Sequence, residues 1–136
     1  MAKTYTAPFA QTTKTSNAVV TAADDLTDDP ANTVLLETAG TDGALLTKLT
    51  AMPRATVTAS GLHLFISQDS GTTKRLIDSI MMDAHSVAVT TAIPVTSFDL
   101  ISEDTPIRLE AGDKLYVGSA VALAGGIIFK SETTDF

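Results

Sequence analysis

Residues 54–79, RATVTASGLHLFISQDSGTTKRLIDS, place their apolar side chains on every second residue, and no stretch of the chain as long as roughly twelve residues holds a helical period. That alternation is the strongest constraint on the fold, because a period of two puts one set of side chains on one face of a pleated strand. Val57 and Ala59 occupy odd positions, with Thr56 and Thr58 opposite them. After Ser60-Gly61 the apolar set moves to Leu62, Leu64 and Ile66. One extra residue reverses the facing of everything that follows, so the flip predicts a β-bulge at the glycine. QDSGTT then predicts a hairpin onto KRLIDS, with Asp69 accepting backbone amides and Gly71 taking a positive φ.

Other segments follow the same pattern. PIRLEAGDKLYVGSAVA, from Pro106 to Ala122, predicts strand, turn, strand, with Ala-Gly-Asp as the turn. Short β-branched runs lie at 18–22 and 33–37, and the acidic loop between them ends in Asp29-Pro30. GALLTKLTAM fits a helix through Leu45, Leu49 and Met52, or a strand face through Leu45, Thr47, Leu49 and Ala51; its threonines and the following Pro53 favour the strand. IMMDAH fits either a helical turn or the strand's continuation. SVAVTTAIPV predicts a further strand, ended or held at an edge by Pro94, and GGIIFKSE predicts the last. About eight short strands, punctuated by turn residues, are expected to form an all-β, jelly-roll-like sandwich. The Thr-rich residues 1–16 show no sustained period and are expected to form an extended N-terminal arm, leaving one domain over 17–136.

Composition then narrows the function. With 136 residues the core needs no staples, and the absence of cysteine removes thiolate catalysis and zinc–thiolate sites. A net charge of -7 with scattered Lys and Arg argues against nucleic acid. No apolar run is long enough to span a membrane, and no secretion signal is expected at the N-terminus. His63 and His85 are the only imidazoles, and an acid–base or metal site would need both to converge with Asp78 or Asp83. His63, in the same alternate register as Phe65, is expected on a sheet surface or between subunits instead. The cluster Asp24, Asp25, Asp28 and Asp29 lacks the spacing of a calcium loop and is expected to be a solvated loop with Asx turns. The expectation is therefore no catalytic residues, no metal and no cofactor.

The stretches AMPRATVTASGLHLFISQDSGTTKRLI and TPIRLEAGDKLYVGSAVALAGGIIFKSE resemble the jelly-roll cementing (head decoration) proteins of tailed phages, of the kind carried by a Bordetella podovirus. The resemblance covers most of the chain and is weakest over the arm. It implies a structural protein that sits on the outside of an icosahedral head, assembled in the bacterial cytoplasm, and bridges major capsid protein subunits. On that reading Tyr5, Pro8 and Phe9 are the arm's capsid contacts. YVGSAVALAGGIIF, read as one strand, makes Tyr116, Ala120 and Ala122 the self-association face of a homo-oligomer, with a dimer expected over a trimer. The competing function is a carbohydrate- or receptor-binding jelly-roll module of a fibre or spike, which would want an exposed aromatic platform.

Overall fold

A computed structural model describes residues 12–136 as nine antiparallel strands in two packed sheets, with no helix among the described residues. The strands are β1 (Thr12–Val20), β2 (Val34–Thr38), β3 (Ala44–Pro53), β4 (Ser60–Ser67), β5 (Arg75–Met82), β6 (Thr96–Ser97), β7 (Ile107–Leu109), β8 (Lys114–Ser119) and β9 (Ile127–Asp135). One sheet runs β1-β9-β3-β6, with β7 also on β3; the other runs β2-β8-β4-β5. The pairs nest: β1 with β9, β2 with β8, β3 with β6 and β7, β4 with β5. This is the winding of a jelly roll, a long hairpin folded over itself. β6 and β7 share one position in that winding, both pairing with β3.

The core fills the gap between the sheets. Leu46, Leu49 and Phe129 from one sheet meet Leu62, Leu64, Leu115 and Val117 from the other, and the rings of Phe98 and Phe129 lie 6.5 Å apart. Three bulges set which residues reach it. In β3 the pairing with β9 shifts between Leu46 and Lys48, so Ala44 and Leu46 face inward before it and Leu49 and Ala51 after it. The expected face through Leu45 and Thr47 is therefore corrected: Thr47 is the extra residue, and its hydroxyl donates to the Glu132 carbonyl at 3.0 Å. In β2 the shift falls at Leu36, and in β5 at Ile77.

Several other expectations change. Residues 12–16 are not arm but the first half of β1, paired with Ser131–Asp135. The phase flip near Gly61 is real, but no single residue is inserted. Val57 pairs with His85 and Ser60 with Met82, three residues on along each strand, so the ladder breaks symmetrically and then resumes. The segment 86–95 is not a strand: it runs exposed from β5 towards β6, with a turn at Ala88–Thr91. Its alternation has no sheet beneath it to bury the valines. The first half of IMMDAH, Ile80–Met82, is the end of β5, and the hairpin at QDSGTT is present.

Candidate interaction surfaces

The PIRLEAGDKLYVG turn connects two strands, though in opposite sheets: β7 lies on β3, and β8 lies between β2 and β4. The buried Asp113 carboxylate accepts the Glu110 amide at 2.9 Å, and the Asp113 carbonyl accepts the Ala39 amide at 2.8 Å. The aspartate thus fastens a crossover with bonds made within the chain.

The middle of the outer face of the β2-β8-β4-β5 sheet, around Gly118 and Ser119, is covered by the chain's own loop 21–33. The Asp24 amide donates to the Ser119 carbonyl at 2.8 Å, and Asp24 Oδ1 accepts the Asn32 amide at 2.8 Å. Gly118 leaves room for the carboxylate: a Cβ there would lie 3.2 Å from Asp24 Oδ2. Lys74 reaches Asp29 at 3.3 Å and Arg75 reaches Asp28 at 3.2 Å, tying the loop to the β4–β5 hairpin. Asp25 Oδ1 accepts the Thr27 amide and hydroxyl in the expected Asx turn. This cover corrects the expectation for His63, which is buried rather than on a sheet surface and stands edge-on to a fully buried Phe65. Burial pushes the His63 imidazole below its usual range against the pull of Asp24, and burial raises the Asp24 carboxyl. Asp24 Oδ2 and His63 Nδ1 are both buried without a hydrogen-bond partner.

His63 does not meet His85. His63 pairs with Ser79 and His85 with Val57, six positions along the ladder, or about 20 Å at strand rise. Among the described residues no three His, Asp or Glu side chains come together as metal ligands.

On one side of the sandwich, β1 and β2 are joined by an ionic seam. The bulge at Leu36 puts Glu37 opposite the inward-facing Leu115, so its carboxylate is buried. Lys14 Nζ lies 2.9 Å from Glu37 and 3.0 Å from Asp135, and donates to the Thr38 carbonyl at 3.2 Å. The Ser16 and Thr133 hydroxyls donate to Glu37 as well. Burial works to lower the Lys14 ammonium, but its bonds and charges with Glu37 and Asp135 outweigh that and hold it above its usual range. Nothing in VLLET marks Glu37 as buried; only the bulge does.

The opposite side is open. β5 ends its sheet, and it touches β6 at the end of the other. Of the eight exposed large apolar side chains among the described residues, six lie between Leu76 and Leu100: Leu76, Ile77, Met81, Val89, Val95 and Leu100. Met81 is 62% exposed, Val95 58% and Leu100 78%, well beyond the partial exposure usual at a sheet margin. Sequence reasoning missed this edge by placing a strand at 86–95.

The expected contact residues fall elsewhere. Tyr5, Pro8 and Phe9 lie outside the described residues. Tyr116, Ala120 and Ala122 do not form one strand face, because β8 stops at Ser119, whose hydroxyl accepts the Val121 amide at 3.2 Å. Tyr116 is half-buried under Lys74, 4.9 Å above its ring, whereas Ala120 and Ala122 are exposed on the loop to β9. No family model, curated protein or solved structure matches this chain.

Proposed function

We propose that this chain is a head-decoration protein of a tailed phage, which binds the outside of an icosahedral shell and bridges neighbouring capsid subunits. The observation that carries this reading is the asymmetry of the sandwich: one side is joined through the buried Glu37 carboxylate, and the other carries exposed Ile77 and Met81 on a strand with no outer neighbour. A monomer rarely leaves apolar side chains grouped on one edge unless they meet a partner. A jelly-roll-like block whose polar side chains bond mainly within the chain suits work done by surface contact. The resemblance of its strands to phage cementing proteins supplies the kind of partner, a major capsid subunit. Many copies acting on one shell need only modest interfaces each. A sugar-binding role is less favoured because, among the described aromatic residues, Phe65, Phe98 and Phe129 are buried and Tyr116 is covered, which leaves the half-buried Phe136 without a second ring. The test is to mix purified protein with bare expanded capsids. Saturable binding at a fixed copy number, with a raised temperature of particle rupture, is expected. Binding to glycans with none to capsids would reverse the assignment.

A further inference from the structure

The open edge has a charge pattern of its own. Residues 76–107 contain five acidic side chains, Asp78, Asp83, Asp99, Glu103 and Asp104, and neither Lys nor Arg. None of the five is ion-paired to another described residue. Elsewhere Asp28, Asp29, Glu37, Glu132 and Asp135 each face a Lys or Arg. Asp99 and Glu103 line a cavity with Lys48, but Asp78 lies in β5 and Asp83 directly follows it, so the exposed Ile77 and Met81 sit beside two carboxylates without a cationic partner among the described residues.

β5 also offers backbone. The bulge at Ile77 interrupts its Arg75 end and guards it, but Asp78–Met82 keep regular pairing with β4 and face no further strand on the outer side. A terminal strand with exposed apolar side chains is the usual acceptor for an added strand. A second copy of this chain is a poor occupant, because a two-fold pairing sets one acidic region against another, and each copy carries a net charge of -7.

We infer that the β5–β6 edge docks another protein through an apolar strand flanked by lysine or arginine, added alongside Asp78–Met82. This rests on the edge itself; under the proposed function, that strand belongs to a capsid subunit. The occupant's basic flanks answer Asp78 and Asp83, and its alternate apolar side chains cover Met81.

Two peptides test it on the full chain: Lys-Lys-Thr-Val-Thr-Val-Thr-Val-Lys-Lys and its counterpart with glutamate in place of lysine. Titration followed by backbone amide NMR is expected to shift residues 77–82 and 95–97 with the lysine peptide. Binding should be at least tenfold tighter than for the glutamate peptide and weaken in 0.5 M NaCl. An Ile77→Thr, Met81→Thr, Val95→Thr variant should lose tenfold or more while melting as the parent does. Equal binding of both peptides, shifts centred on another surface, or no shifts at all would overturn the inference. Bare capsids separate it from the functional reading. If the parent binds capsids and the triple variant binds equally well, the edge is refuted and the reading stands. If the parent ignores capsids but selects the lysine peptide, the reading falls and the edge stands.

Discussion

Replacing Glu37 with alanine tests the seam between β1 and β2. The Ser16 and Thr133 hydroxyls and the Thr38 amide each lose an acceptor, which costs about 1 kcal/mol apiece when the donor is left unpaired. Lys14 keeps Asp135 at 3.0 Å and the Thr38 carbonyl at 3.2 Å. The ~3–5 kcal/mol of a wholly orphaned buried charge therefore does not apply. Water entering the rim recovers part of the loss, leaving a net destabilisation of about 2–3 kcal/mol. For a chain of this length that lowers Tm by about 8–12 °C. Urea unfolding and thermal melts followed by circular dichroism read both quantities. The Lys14→Met, Glu37→Met double variant should recover most of the loss, since removing both charges leaves neither unpaired. A Tm drop under about 2 °C for Glu37→Ala, or a double variant no better than the single, would refute the reasoning. The pH dependence has a definite sign. Because the folded Lys14 is held above 10.5, its contribution is fully present below that value and is lost as pH climbs through the folded pKa.

Three other outcomes are expected. Gly43→Ala should cost at least about 2 kcal/mol in urea unfolding, because Gly43 has a φ of +86° and a Cβ would sit 2.5 Å from the Leu109 carbonyl oxygen; an unchanged midpoint would contradict this contact. Burial lowers the His63 pKa from 6.5, so the unfolded chain takes up that proton first and stability falls as pH drops from above 6.5 towards the folded value. His63→Gln should therefore lose less stability between pH 7.5 and 5.5 than the parent, and equal losses would exclude His63 as the source. Met81→Lys, on a side chain 62% exposed, should leave Tm within about 2 °C yet reduce capsid binding tenfold or more; retained binding counts against the edge.

How much of this was legible in the sequence depended on whether a residue's partner lay nearby. The β4–β5 hairpin was readable because Asp69 and Gly71 act locally: Asp69 accepts the Ser67 hydroxyl and the Thr73 amide, and Gly71 has a φ of +95°. The strand at 44–53 was readable from its threonines, but its inward face was not, since the bulge at Thr47 is fixed by Glu132, far along the chain. Glu37 carries no local sign of burial, because it is a bulge that turns it inward onto Lys14. Residues 86–95 alternate as a strand should, yet a strand forms only where a neighbour completes its ladder, and here pairing stops at Val57 with His85. The burial of His63 was not legible because nothing local indicates that loop 21–33 folds back over it.

The most direct test of the whole account is hydrogen–deuterium exchange on the protein bound to bare expanded capsids, compared with the protein alone. The account predicts new protection at Asp78–Met82 and around Thr96–Ser97, with β1 and β2 exchanging as they do when free. Protection confined to the loop carrying Ala120 and Ala122, or no change on β5, would contradict it.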